Sequence, residues 1–275
     1  MHNEQEPERQ QQIIRAVRET TASLCRAFEA TSPVDGLDEL RKAFHRVNGT
    51  HEKSLRARLR EIAPDTRWVA DDLAAVHFEP GTDEAFWVCD VIDGAVQFFQ
   101  GIPAWCLTLG RVVGGTVTFA LTFDPIHDVL YLARPGEGTW RNGQRVRVGT
   151  KIALANALVA TNQAPFVWKR PEEIRLASRS LDELLARTLA VRSFGPTSLQ
   201  IADVASARID LFWQFGEDSA NCLAAALIAR EAGALVVDAR GEPWTERSSS
   251  IVVGSAALVA ELLTVPGFGR TVVSE

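Results

Sequence analysis

Two aspartates and a glycine at the end of an apolar run are the residues of this chain best suited to chemistry. Asp90-Val91-Ile92-Asp93-Gly94 follows the apolar residues 85–89, so two carboxylates stand three positions apart, directly before a glycine. Mg²⁺ prefers oxygen ligands and is usually held by one or two carboxylates together with substrate phosphate. A glycine lets backbone N–H groups approach an anion closely. The spacing therefore indicates a divalent cation with a phosphate lying over it, although a strand followed by a capped helix gives the same pattern.

The surrounding sequence resembles that of a known enzyme family. Residues 90–98, followed by Gly101-Ile102-Pro103, resemble the Asp-Pro-Ile-Asp-Gly-Thr-Thr-Asn-Phe signature of the inositol monophosphatase family. Residues 221–233 resemble its second signature, Trp-Asp-x-Ala-Ala followed by a helix that ends in Glu-Ala-Gly. Phe123-Asp124-Pro125 and Arg141-Asn142-Gly143-Gln144 match further landmarks, in the right order and spacing. The resemblance implies an α/β fold, a five-layered α-β-α-β-α sandwich, working as a Mg²⁺-dependent phosphomonoesterase and a homodimer.

The family's metal ligands can be carried over residue by residue. The resemblance implies that Asp90 and Asp93 bind metal through their side chains and that the carbonyl of Ile92 adds an oxygen. The glutamate of an upstream Gly-Glu-Glu motif, which contacts metal and orients the attacking water, matches Asp71. An aspartate there keeps the charge but draws the oxygens back by about 1.5 Å, one carbon–carbon bond of reach. Asp71, Asp90 and Asp93 are therefore the predicted catalytic residues.

Two positions depart from the family pattern in ways that affect catalysis. The third metal-binding aspartate is replaced by Asn221, whose amide oxygen can coordinate Mg²⁺ but carries no negative charge. The family threonine that helps to position the water is Ala95, and losing one such group commonly costs about 10²-fold in rate. One Mg²⁺ site is therefore expected, with a second and third held less firmly. Asp218 offers a carboxylate three residues before Asn221, but a solvated acid in a turn is the favoured interpretation.

The substrate-binding positions have also changed. The family glutamate that grips a polyol hydroxyl matches Gln214, which can still form a hydrogen bond with a hydroxyl. The loop that closes over substrate matches residues 195–198, where a proline removes an N–H group. Gly94, Ala95, Thr197 and Gln214 are the predicted substrate-binding residues, and the expected ligand is a small phosphorylated or polyol-like molecule.

Three functions are compatible with these residues. The first is a slow or unusually specific phosphatase. The second is a pseudoenzyme that keeps the fold as a binding or regulatory module, because Ala95 and Asn221 have both lost catalytic groups. The third is a repurposed enzyme in which Asp71 or Asp93 acts as a base without metal, with a pKa raised by the neighbouring carboxylates.

The hydrophobic pattern predicts the elements that position these residues. Residues 8–30 form an amphipathic helix, and residues 49–62 form a second helix with Thr50 as a possible N-cap. Residues 86–148 predict an antiparallel sheet that includes a Gly-Gly hairpin within residues 112–119. The second half alternates helices and strands, with helices near 181–188 and 222–232 and strands at 157–160, 235–237 and 251–253. The predicted organisation is an N-terminal lobe, 1–148, and a C-terminal lobe, 149–275, forming one catalytic unit.

The composition limits the kinds of partner and the cellular location that are expected. The chain has 275 residues, 46% of them hydrophobic, which is ample for a buried core. Its net charge of -6 argues against a nucleic-acid groove built on bulk positive charge. No apolar run reaches the roughly 18–20 residues of a membrane span, and the N-terminus lacks the apolar core of a signal peptide, so a cytoplasmic protein is expected. The cysteines are expected to be reduced and structural, and four histidines are expected to lie at the surface (Cys25, Cys89, Cys106, Cys222; His45, His51, His77, His127).

Overall fold

The computed structural model describes residues 5–69 and 84–269. Its helices and strands follow in chain order: α1 (Gln5–Glu29), α2 (Leu37–Ile62), β1 (Thr66–Trp68), β2 (Ala85–Asp93), α3 (Ala95–Phe99), β3 (Cys106–Val113), β4 (Thr116–Asp124), β5 (Val129–Arg134), β6 (Gly138–Arg141), β7 (Gln144–Val146), β8 (Leu158–Thr161), α4 (Pro171–Leu185), β9 (Ala190–Arg192), α5 (Thr197–Ala205), β10 (Leu211–Phe215), α6 (Ser219–Glu231), β11 (Leu235–Val237), β12 (Ser250–Gly254) and α7 (Ala256–Leu263).

The strands form two sheets. The first has seven strands in sequential order, β1 to β7, and all of its pairs are antiparallel except β1 with β2. The second has five strands in the order β11-β12-β10-β8-β9 and mixes parallel with antiparallel pairs. All strands of the first sheet precede residue 148 in the sequence, and all strands of the second sheet follow residue 149. The division into two lobes remains a prediction.

The alternation of side chains along the strands creates five layers. In β4, Phe119 and Leu121 pack into the core formed with α1 and α2, whereas Ala120 faces the core formed with α5 and α6. In β10, Phe212 packs towards α5 and α6, whereas Trp213 faces the core formed with α4 and α7. Successive strand residues point to opposite faces, so each sheet is covered on both sides. The order α1/α2, first sheet, α5/α6, second sheet, α4/α7 confirms the predicted α-β-α-β-α sandwich.

The hairpin between β3 and β4 has the predicted turn. Gly114 and Gly115 adopt φ values of 54° and 76°. A two-residue turn with positive φ at both positions matches the twist of the flanking strands, and glycine adopts it at little cost.

Two helix boundaries were predicted wrongly. Helix α2 begins at Leu37 rather than at Gly49, so Thr50 lies inside the helix and its hydroxyl donates to the carbonyl of Arg46. Helix α4 begins at Pro171, ten residues before the predicted start and well clear of Leu181. In α2, packing of buried residues such as Ala43 and Leu55 outweighs the weak helix propensity of a single glycine.

Candidate active site

A β-bulge places Asp90 and Asp93 on the same face of the first sheet. Asp90 pairs with Thr108 and Asp93 with Cys106, so three steps along β2 oppose two steps along β3. In a regular strand, residues three apart point to opposite faces, but one extra residue restores a common direction. Val88 precedes Asp90 by two positions and packs towards the central helices. Both carboxylates therefore face the layer that contains α5 and α6.

Gly94 turns the chain sharply after β2. Its φ is 94°, and a Cβ atom at this position would lie 2.9 Å from the carbonyl oxygen of Ala104. Only glycine accommodates both the left-handed backbone and this approach. Helix α3 starts at the next residue, so Ala95 stands partly exposed in its first turn.

Asp93 is held by the first turn of α5. One carboxylate oxygen of Asp93 accepts hydrogen bonds from the backbone N–H of Ser198, at 2.8 Å, and from the Ser198 hydroxyl. Ser198 is fully buried and Asp93 is 4% exposed. A helix N-terminus favours negative charge, because its first N–H groups lack partners within the helix. The start of α5 therefore fixes the position of the Asp93 carboxylate.

A second group of polar side chains connects β10 with the start of α6. Asp218 is 9% exposed, and its two oxygens accept hydrogen bonds from Nε2 of Gln214 and Nδ2 of Asn221, each at 2.9 Å. Gln214 accepts in turn from the Thr197 hydroxyl at 3.0 Å, and that hydroxyl accepts from Nδ2 of Asn162 at 2.7 Å. The interpretation of Asp218 as a solvated turn acid is wrong, because folding packs the start of α6 against β10.

All three aspartates of this region have raised pKa values. Burial, followed by the charge of Asp93, raises the pKa of Asp90 well above its ordinary value, although part of its side chain stays accessible. Burial and the charge of Asp93 also raise the pKa of Asp218, to about 7. Burial raises the pKa of Asp93, while the hydrogen bonds from Ser198 oppose the shift. Crowded carboxylates with raised pKa values mark a place where a positive ion would be stabilised.

The residues present suit a hard cation. Besides the acids, Oδ1 of Asn221 is buried and has no hydrogen-bond partner, which is uncommon for a buried amide oxygen. Within residues 5–69 and 84–269, no three Asp, Glu, His or Cys side chains are grouped closely enough to hold a metal ion by themselves. Mg²⁺ does not need three, because it keeps several waters and takes oxygens from substrate phosphate.

Comparison with known proteins decides the family. Residues 8–265 match the sequence model of the inositol monophosphatase family. The chain belongs to the inositol monophosphatase family. It is 32% identical over 218 residues to human "Inositol monophosphatase 2", covering 77% of this chain and 75% of that protein. It is 27% identical to "Nus factor SuhB" of Pseudomonas aeruginosa, covering 91% and 93% of the two chains.

Solved structures of two proteins named SuhB share the fold. The structure titled "Mycobacterium tuberculosis SuhB" superposes with a TM-score of 0.75 at 25% identity, covering 95% of this chain and 96% of that one. The suhB protein of Bartonella henselae gives a TM-score of 0.79 at 21% identity over 96% of this chain and 100% of the other. Family members are generally Mg²⁺-dependent, which agrees with the oxygen-rich character of this site.

The structure brings together most of the residues that the family resemblance singled out. Asp90, Asp93 and Asn221 border the central helical layer, and Thr197 and Gln214 are buried there in contact with each other. The backbone N–H of Ile92 donates to Oδ1 of Asp90 at 2.9 Å, which places its peptide beside that carboxylate. Asp71 lies outside the described residues. The roles assigned to all of these residues remain predictions.

Sequence reasoning missed two residues of the site. The family resemblance assigns no role to Ser198, and the sequence gives no reason to single out Asn162. The only signal for Ser198 was its place in the family's substrate loop, because its partner Asp93 lies 105 residues away in the sequence. No local pattern distinguishes Asn162, since it contacts Thr197 only through the tertiary fold.

The cysteines and the described histidines behave as predicted in most respects. All four cysteines are free. His45 and His127 are exposed, and His127 contacts the Asp124 carboxylate at 2.8 Å. His51 is half-buried, with its ring nitrogens near the Val47 carbonyl and the Ser23 hydroxyl, so it is less exposed than expected. His77 lies outside the described residues. In the described part of the chain, no helix is both long and apolar enough to span a membrane.

Proposed function

We propose that this protein is a divergent Mg²⁺-dependent phosphomonoesterase that acts on a small sugar, polyol or related phosphate. The observation that supports it most is the bulge in β2, which puts Asp90 and Asp93 on one face of the sheet, where Asp93 accepts hydrogen bonds from Ser198 at the start of α5. A strand carrying two acids for structural reasons alone has no need of such a bulge. Asp93 on this face is 4% exposed, so it lies within the fold rather than at the solvent surface.

Different residues of the site would bind the cation and the phosphate. Asp90, Asp93, the Ile92 carbonyl and Oδ1 of Asn221 would hold the cation, with Asp71 completing the set. When bound, Mg²⁺ would neutralise phosphate charge and favour ionisation of a nearby water. Ser198 fixes the Asp93 carboxylate, and Gly94 allows the N–H groups in the first turn of α3 to approach phosphate oxygens. Phosphoryl transfer depends mainly on such positioning and electrostatics.

Two features support a slow enzyme of altered specificity. Ala95 lacks the hydroxyl that would orient the water. Gln214 uses its oxygen on Thr197 and its nitrogen on Asp218, so its amide is already engaged where the family glutamate grips a hydroxyl. Nearby, the exposed apolar side chains of Val96 and Phe194 flank Gln97, which donates to the Phe194 carbonyl. These apolar side chains favour a phosphate ester with a less polar leaving group, such as an aryl monophosphate.

The deciding experiment measures phosphate release with Mg²⁺ or Mn²⁺ from sugar, inositol, nucleotide and aryl monophosphates. Asp93→Asn should reduce release by about 10²-fold or more, since it removes a ligand charge at the reacting centre. Asp182→Asn, which removes one charge from the exposed face of α4, is the matched control and should behave as the wild type. Release that survives unchanged in Asp93→Asn would contradict the proposal.

A pseudoenzyme that binds a phosphorylated ligand is the second candidate. It is favoured by the joint changes at Ala95 and Asn221, which lack the hydroxyl and the carboxylate that the family has at these positions. It predicts no release from any ester, together with cation-dependent binding of inorganic phosphate by calorimetry. Release that persists in excess chelator would instead favour metal-free acid/base chemistry.

Assembly and partners are further parts of the proposal. Family membership supports a homodimer, which light scattering would test. A cytoplasmic location and a small-molecule partner are expected on the same ground. The prediction of no nucleic-acid partner rests only on the net charge of -6, and relatives named "Nus factor SuhB" make RNA binding worth a direct measurement.

A further inference from the structure

Asp218 is placed unlike an ordinary residue at a helix start. It is the N-cap of α6, yet its side chain makes no capping hydrogen bond to that helix. A capping aspartate normally accepts from the backbone N–H two or three residues later. Asp218 instead accepts from two side-chain amides, those of Gln214 and Asn221, while being 9% exposed. Helix capping therefore does not explain why an acid is buried here.

The amide of Asn221 is arranged around this carboxylate. Its Nδ2 donates to Asp218 at 2.9 Å, and this contact leaves its buried Oδ1 without a partner. A buried acceptor without a hydrogen-bond partner lowers stability, because it has lost its contacts with water. Both Asp218 and Oδ1 of Asn221 are therefore electron-rich groups in a buried place, and a cation would satisfy both.

The charges near Asp218 also favour a bound cation. Asp218 interacts electrostatically with Asp93, and Asp90 interacts with Asp218. None of the salt bridges between described residues includes any of these three acids. Buried acids without basic partners are costly to keep ionised, so a bound positive ion is the simplest compensation.

We infer that Asp218 replaces, from one helical turn earlier, the negative charge that the family places at the position of Asn221. This inference rests on the proposed function and deepens it. The acid has moved from the third residue of α6 to its N-cap, and Asn221 now holds the displaced carboxylate in place. The second cation site thus keeps its charge although the family aspartate is gone.

A charge-swap series measured by Mn²⁺ binding tests the inference independently of turnover. Electron paramagnetic resonance or calorimetry would follow the wild type, Asp218→Asn, the double variant Asp218→Asn/Asn221→Asp, and the surface control Asp182→Asn. In Asp218→Asn, the Mn²⁺ ion at the second, weaker cation site should bind at least ~10-fold less tightly than in the wild type. The double variant should recover most of that affinity, because it returns the charge to the family position, and Asp182→Asn should match the wild type.

The outcomes separate this inference from the proposed function. Wild-type affinity in Asp218→Asn, or a double variant as weak as the single one, would overturn the role of Asp218 alone. Absence of Mn²⁺ binding by the wild type would overturn the proposed function as well.

Thermal unfolding in chelator separates a metal-related role from a structural one. Removing a buried acid that faces Asp93 should leave the melting temperature of Asp218→Asn unchanged or raised. A lower melting temperature in chelator, with an unchanged response to Mn²⁺, would show that the carboxylate serves folding and would overturn the inference.

Discussion

At the scale of single residues, acids and glycine carry the unusual features of this protein. Asp93 and Asp218 are almost fully buried with raised pKa values and without basic partners among the described residues. Such groups lower the stability of the fold, so they are kept mainly where function requires them. Acids with perturbed pKa values therefore concentrate at functional sites. Gly94 is unusual in its backbone, because both its φ and its surroundings exclude a side chain.

Gly94→Ala should destabilise the protein by roughly 3 kcal/mol, because the new Cβ atom meets the Ala104 carbonyl as well as straining the backbone. Gly101→Ala is the matched control: its φ is also positive, at 70°, but a Cβ there meets nothing within 4 Å. That variant should cost only about 1 kcal/mol. Urea unfolding of both variants measures the difference, and equal losses would show that close approach at Gly94 is unimportant.

At the scale of elements, packing overrides local propensity. Helix α2 continues through Gly49 because its apolar side chains bury against α1 and the first sheet. Strand β2 departs from regular geometry at the bulge, and this irregularity allows two acids three residues apart to act together. The helix boundary could be missed because glycine and threonine commonly mark helix ends, whereas the bulge requires knowledge of the partner strand.

Gly49→Ala should stabilise the protein by about 0.5–1 kcal/mol, because alanine loses less backbone entropy in a helix interior. A Cβ atom at Gly49 meets nothing within 4 Å, so no clash offsets this gain. Gly36 has equally open surroundings but a φ of 86°, and Gly36→Ala should therefore destabilise. Chemical unfolding of the pair isolates the backbone effect; a loss of stability in Gly49→Ala would mean that α2 does not run through this position.

At the scale of the whole molecule, the site depends on how closely α6 approaches the first sheet. Gly110 in β3 faces Ala224 in α6, and a Cβ added to Gly110 would lie 3.4 Å from the Ala224 Cβ atom. Small residues at this contact set the distance between the sheet that carries Asp90 and Asp93 and the helix that begins beside Asp218. The central layer therefore fixes the spacing of the acids.

Gly110→Val should cost about 1–3 kcal/mol, because the added methyl groups overpack the contact with Ala224. It should also weaken Mn²⁺ binding, since α6 moves away from β2. Gly110→Ala reaches only ordinary van der Waals distance and should leave both quantities nearly unchanged. Unfolding and Mn²⁺ titration of the two variants provide the check; weakened stability with full Mn²⁺ affinity would show that the site does not depend on this contact.

Linear motifs suffice to predict the family and the acid pair at Asp90 and Asp93, and the five layers follow from the resemblance to that family. These features depend on local order and spacing, which a linear pattern contains. The burial of Asp218 and the internal hydrogen bonds of Gln214 become visible only in the folded molecule. Those properties depend on contacts between different elements, such as Thr197 in α5 with Gln214 in β10, and such contacts form only once the layers have packed.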